Sequence, residues 1–263
     1  MSDSISPLIL QRPAFDAITA VGMVLLVVLM SAAWIAVLGK RNARAGAWAA
    51  AVICLIVVAN VVGDQTGVFS RLDLLPPPLV LLVFLGLSLV AAVGLGYLGK
   101  IGDVLVRTMS VEALVALQIF RFPLELLMLR AAYLGIMPEE FSMLGYNWDV
   151  LTGLGALAIS VYCAWTWRVP LRAIWIWNIF GVACLIVIAI LAALTSPNIH
   201  AFGASAQQIN SWVLYFPYSM LPTLLVVYAV FSHILLTRKL LTQQHFLPPL
   251  RWPTLRKAAN DPW

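Results

Sequence analysis

Charge is what this chain has least of. Acidic and basic residues make up 10% of its 263 residues, against roughly 25% in soluble globular domains. Hydrophobic residues reach 62%, which excludes an ordinary water-soluble domain. The cysteines are few and scattered. Cys54, Cys163 and Cys184 each lie inside an apolar run, a pattern for packing and not for disulfides or a metal cluster. No His-x-x-x-His, Glu-x-x-His, Gly-x-Ser-x-Gly or phosphate-loop pattern occurs, so a hydrolase, a metalloenzyme or an ATP-driven pump has no visible machinery. No cofactor site is expected either. His200 falls in an outer loop and His233 near the inner end of the last run, on opposite sides of the membrane where they cannot share a metal, and each is read as an ordinary residue. No Asn-x-Ser/Thr sequon is present, and a bacterial cytoplasmic membrane is the expected location. The first run follows a segment without a basic cluster and is too long for a cleaved leader.

What is present is a series of continuous apolar runs about 20 residues long, which read as helices crossing a bilayer. Seven are expected: about 16–39, 46–63, 79–99, 111–137, 148–167, 173–194 and 212–236. The fold class is therefore an all-α polytopic membrane protein, a single transmembrane domain with a cytoplasmic tail from 240 to 263. Lys40, Arg41, Arg44, Lys100, Arg107, Arg168, Arg172, Arg238, Lys239, Arg251, Arg256 and Lys257 fall on one side, and Arg12 and Arg71 on the other. The positive-inside rule then puts the N-terminus outside and the C-terminus in the cytoplasm. The basic excess has this ordinary explanation and does not indicate nucleic acid. Lys100, Asp103 and Arg107 are read as marking a loop.

The fourth run differs from the others in carrying charge at its centre, in Gln118-Ile-Phe-Arg121-Phe-Pro123-Leu-Glu125. Gln118, Arg121 and Glu125 fall within about 60° on one helix face. Arg121 and Glu125 are four apart and could pair across one turn. A charge at bilayer centre costs about 2.5–3.5 kcal/mol on insertion scales, so such residues face the bundle interior. Pro123 invites a break between the two charges. These three residues are the first candidate for a substrate or proton site. Arg130 lies on another face and is expected to snorkel.

Asp16-Ala-Ile-Thr19-Ala-Val-Gly22 opens the first run and Asp149-Val-Leu-Thr152-Gly-Leu-Gly155 opens the fifth. The same offset carries Trp34 onto Trp167. Ala51-Val-Ile-Cys54-Leu-Ile-Val-Val-Ala59 matches Gly181-Val-Ala-Cys184-Leu-Ile-Val-Ile-Ala189. The chain thus reads as two parallel units, 16–99 and 149–239, around a linker helix at 111–137. In topology this resembles sugar carriers of the SWEET type, and the resemblance implies a midplane site between the repeats. The Pro-Gln motif of that broader superfamily is absent. Rhodopsins share the seven-span orientation, but a retinal Schiff base needs a lysine within the last span, and Lys239 falls in its flank.

Other candidates come in weaker form. Asn178 could hydrogen-bond to Gln118 or serve as interhelical glue, as could Asn60. Asp16 and Asp149 open corresponding runs, where capping or an outer mouth explains an acid. Tyr218 and Ser219 lie between Pro217 and Pro222, where a broken helix could line a cavity. The functional expectation is a small-molecule or ion carrier with an intramembrane Arg/Glu site. The alternative is a non-catalytic sensor or an accessory subunit of a larger membrane complex. Expected partners are membrane lipids, a small-molecule or ion substrate, and a protein docked on the C-terminal tail.

Overall fold

The computed structural model describes residues 12–70, 79–196, 199–203, 205 and 207–243. Among them there is no strand. The helices are α1 (Ala17–Gly39), α2 (Ala43–Gln65), α3 (Leu79–Val93), α4 (Lys100–Thr108), α5 (Val111–Ala116), α6 (Arg121–Tyr133), α7 (Val150–Thr166), α8 (Leu171–Leu194) and α9 (Val226–Gln243). A π-turn at Gly94–Leu98 extends α3, and another at Leu221–Leu225 leads into α9.

Among the described residues, four stretches are long and apolar enough to cross a membrane: Ala17–Gly39, Ala43–Gln65, Leu171–Leu194 and Leu221–Gln243. A fifth is counted if Gly86–Leu98 and α4, bent by 63°, form one span. On α2, Trp48, Val52, Leu55, Val58 and Val62 all face outward. Water does not tolerate a continuous apolar face of that size, whereas lipid does. The described residues form an all-helical, membrane-embedded protein.

α1 and α2 form a tight hairpin. Asp16 opens α1 and accepts from the Thr19 backbone at 2.9 Å, and Asn42 caps α2 by accepting from Arg44 N at 2.9 Å. The two helices meet at glycines: a Cβ on Gly46 would lie 2.7 Å from the Gly39 Cα. The central run is broken, as Pro123 predicts. Gln118, Ile119, Arg121 and Phe122 each donate to the carbonyl three residues back, so α5 and α6 are joined by a tightened turn. Proline has no N–H for the Ile119 carbonyl, and Phe122 N takes that acceptor at 3.0 Å instead. α5 packs against α7 and α9, and α6 packs against α1 and α7, so this broken helix holds the bundle together.

Lipid supplies no hydrophobic drive between helices, so close packing and interhelical hydrogen bonds hold them. Ser31 and Tyr228 meet at 2.8 Å, Asn60 donates to Thr223 at 3.1 Å, and Gln118 donates to the Ala229 carbonyl at 3.0 Å.

Two boundaries differ from the sequence expectation. The stretch around Lys100, Asp103 and Arg107 is a helix and not a loop. It buries Gly102, Leu105 and Val106, and α9 anchors it: Arg238 reaches Asp103 at 2.5 Å and Lys239 donates to the Val106 carbonyl at 2.8 Å. Those bonds also carry α9 to Gln243, past its apolar end at Leu236. The last run starts late. Trp212–Leu214 is a single 3₁₀ turn, a cis Phe216–Pro217 peptide follows, and helical structure resumes at Leu221. The tail from 244 to 263 and the link from 71 to 78 lie outside the described residues.

Candidate functional site: a buried ionic cluster across four helices

α7 crosses α6 backbone against backbone. A Cβ on Gly153 would run into the Phe122 nitrogen and lie 2.7 Å from its Cα. This close approach brings the start of α7 beside Arg121. Its Nε donates to Asp149 Oδ2 at 2.6 Å, and its Nη2 meets the other carboxylate oxygen. The planar guanidinium fork matches a carboxylate in this two-pronged way. Neither side chain is exposed beyond 4%. The third arm, Nη1, lies 2.8 Å from His233 Nε2 on α9.

The remaining bonds have a fixed direction. A guanidinium can only donate, so Nε2 accepts and the neutral ring carries its hydrogen on Nδ1. Nδ1 then donates to Asn178 Oδ1 at 2.8 Å, and Asn178 Nδ2 donates to Thr237 Oγ1 at 2.8 Å. Trp177 lies beside the imidazole at 5.7 Å between centroids and donates its Nε1 hydrogen to the Thr152 carbonyl at 2.9 Å. Gly181 makes room: a Cβ there would sit 2.6 Å from the imidazole Cε1.

Glu125 belongs to the same cluster through another partner. Asn147 Nδ2 contacts its two oxygens at 3.0 and 2.9 Å, and the Phe141 carbonyl at 2.8 Å. The Asn147 oxygen accepts from Asp149 N at 3.0 Å. The run Glu125–Asn147–Asp149–Arg121–His233–Asn178–Thr237 is thus continuous, and Glu125, Asn147, Asp149, Arg121, His233 and Asn178 are each at most 3% exposed.

Several expectations need correcting. The Arg121 side chain pairs with Asp149, not with Glu125 one turn away, because the Asp149 carboxylate meets two guanidinium nitrogens at once. Asn178 bonds to His233 and Thr237 and not to Gln118, whose amide turns to the α9 backbone. Gln118 Oε1 and Ser232 Oγ are buried without a protein partner. Asp149 is 3% exposed, so it faces no outer mouth, and its carboxylate makes no helix cap. His233 is a member of the cluster and not an ordinary residue. Arg130 pairs with Asp16 through two bonds of 2.8 Å and does not simply snorkel.

Asp16 therefore caps α1 and holds an ion pair at the same time. The Arg130 guanidinium, and then the Thr19 side chain and backbone, keep its carboxyl well below the usual range. Tyr218 and Ser219 are buried, with their hydroxyls unpartnered. They precede Leu221, which is twelve residues, or about 18 Å of helix, from His233. The structure does not bring them to the cluster. Asn147 lies in the link before α7, where no periodicity marks it in the sequence. Among the described residues, no three His, Cys, Asp or Glu side chains are grouped to hold a metal.

The fold and the cluster define a membrane-embedded helical protein organised on a central ionic network. A family model described as "Domain of unknown function (DUF8737)" matches residues 78–241, and the chain belongs to that family. The match takes in every member of the cluster. No curated protein and no solved structure matches.

Proposed function

We propose that the chain is a proton-linked carrier of a small molecule or ion in the bacterial cytoplasmic membrane, with Glu125 as the proton-accepting group. The observation that supports this is the charge count of the cluster. Two carboxyl groups, Glu125 and Asp149, face one guanidinium, Arg121, in a site closed to water. A proton on His233 would turn Nε2 into a donor opposed to Arg121. A proton on Glu125 neutralises the site without breaking that contact. Buried net charge in a membrane is costly enough that a group which can gain or lose it marks a transport or coupling step.

In this reading the broken α5–α6 helix and the short α7 also span the bilayer, which makes seven spans with the N-terminus outside. Support for the parallel repeat comes from the two matched acids. Asp16 and Asp149 each take an arginine of the central helix, Arg130 and Arg121 respectively.

The test uses proteoliposomes loaded with a pH-sensitive dye, to which sugars, amino acids and carboxylates are offered in turn. Substrate-dependent proton entry by the wild type and none by E125Q or R121Q is expected. Equal proton entry by E125Q would overturn the assignment.

A second reading, a sensor or an accessory subunit, is favoured by the tight closure at Gly153 and Gly181. It expects no flux from any substrate offered. It also expects a partner that co-purifies in mild detergent and is lost when the residues after Leu241 are removed.

A further inference from the structure

On the face away from the ionic cluster, a long groove of about 720 Å³ runs between α1, α2, α3 and α9. Its wall is almost wholly apolar, with Trp48, Val52, Ile56, Leu87 and Phe231 among its residues. At the α1–α2 turn it adjoins a smaller pocket of about 210 Å³. Leu38, Asn42, Ala45 and Ile101 line both. This end is basic. Arg41 and Lys100 line the small pocket, and Arg44 lines the mouth of the groove. The acid close to it, Asp103, is taken by Arg238.

We propose that this composite site binds an anionic phospholipid, with one acyl chain in the groove and the headgroup between Arg41, Arg44 and Lys100. Two observations select this occupant. From Ala45 to Ile56 the groove follows twelve residues of α2, eleven steps of 1.5 Å or about 17 Å. That matches the roughly 15 Å depth of one leaflet, half of the ~30 Å hydrocarbon core. Three exposed cations then stand at the level where a phosphate would lie, with no unpaired acid among the lining residues. Arg41 already donates to the Thr108 carbonyl at 3.0 Å, but a neutral lipid would satisfy the wall and leave all three cations without an anion.

The site also explains the shape of its wall. The α3 helix widens into a π-turn at Gly94–Leu98, and α4 turns away by 63°. This places Ile101 and Lys100 at the groove's end. Ala49, Ala91 and Ala92 keep the lining shallow along its length.

The test needs two probes, phosphatidylglycerol and phosphatidylcholine with identical acyl chains. Each is titrated against the delipidated full-length protein in detergent, and bound lipid is counted by native mass spectrometry. Phosphatidylglycerol should be retained preferentially. R44Q and K100Q should each weaken that retention about fivefold, the factor for roughly one kcal/mol per surface cation. A49W should abolish retention of both lipids by filling the groove. Equal retention of the two lipids, or unchanged retention in R44Q/K100Q, would overturn the proposal.

A readout on unaltered binding residues guards against misfolded variants. Phosphatidylglycerol with brominated chains should quench Trp48 more strongly than brominated phosphatidylcholine, and W48F should lose that difference. Identical quenching by the two lipids in the wild type also overturns the proposal.

Discussion

Replacing Asp149 by Asn separates the pairing found here from the one the sequence suggested. The substitution keeps the shape of the side chain and removes its charge. Arg121, 1% exposed, then keeps the His233 contact at 2.8 Å and one amide oxygen, but has lost its counter-charge and the second prong of the pair. Removing one partner of a buried ion pair costs about 3–5 kcal/mol, because the other charge stays desolvated. E125Q should cost less. Asn147 Nδ2 still finds one oxygen on the glutamine and the Phe141 carbonyl, so about 1 kcal/mol is lost, one ordinary hydrogen bond. Reversible unfolding in mixed micelles, followed by tryptophan fluorescence, measures both. A double-mutant cycle then locates the coupling: R121Q with D149N should couple by roughly 2 kcal/mol or more, and R121Q with E125Q, which share the network but no direct bond, should couple by clearly less. If E125Q proves costlier than D149N, or the couplings reverse, Arg121 pairs within its own helix and the cross-helix network is wrong.

The other predictions concern the walls and the rim of the cluster. G153A should destabilise by about 1–3 kcal/mol, because its Cβ meets Phe122 backbone that cannot yield. G86A, with nothing within 4 Å of the added carbon, should be neutral or gain about 0.5–1 kcal/mol, and thermal unfolding compares the two. H233F leaves Arg121 Nη1 and Asn178 Oδ1 unpaired and should cost roughly 1–3 kcal/mol in the same micelle assay. Asp16 predicts a pH effect. Its carboxyl titrates lower in the folded protein than its ordinary value of 3.8, so its contribution is complete above that value. It is lost as pH falls through the lower folded value. A D16N protein should therefore lose part of the fall in Tm on acidification below that value, and unchanged acid limbs in both proteins would remove the role given to Arg130.

The sequence carries helices and their membrane character plainly, because the bilayer imposes long apolar runs that no soluble domain needs. It also carries the break at Pro123, since a missing N–H is a local fact. It fails where the deciding partner is distant. Arg121 and Glu125 are four apart and look paired, yet Asp149 is 28 residues along the chain and Asn147 lies 22 from Glu125. His233 looked isolated because its neighbours, Asn178 and Arg121, come from two other helices. Periodicity assigns a residue to a face and leaves open what stands opposite it. The charged stretch from Lys100 to Arg107 failed in the other direction. Its charges resembled a loop, but Leu105 and Val106 are buried and α9 reaches over to hold the helix ends.

The two Asp–Arg pairs on the central helix sit in opposite environments. Asp16 and Asp149 open segments with the same Asp-x-x-Thr-x-x-Gly pattern, and each finds an arginine of α6. The first pair sits at the rim, with Arg130 42% exposed, where water screens it. The second is sealed, and it touches a third titratable group, His233, and through Asn147 a fourth, Glu125. A buried ionic network of this kind is seldom the most stable filling for its space, since well-packed apolar residues of equal volume often do as well or better. Fastening α7 to the central helix could be achieved by the rim pair's geometry alone. In the proposed carrier the buried pair adds sensitivity: a proton arriving at Glu125 would alter the charge beside Asp149, and every helix of the cluster is bonded to that pair directly or through one side chain.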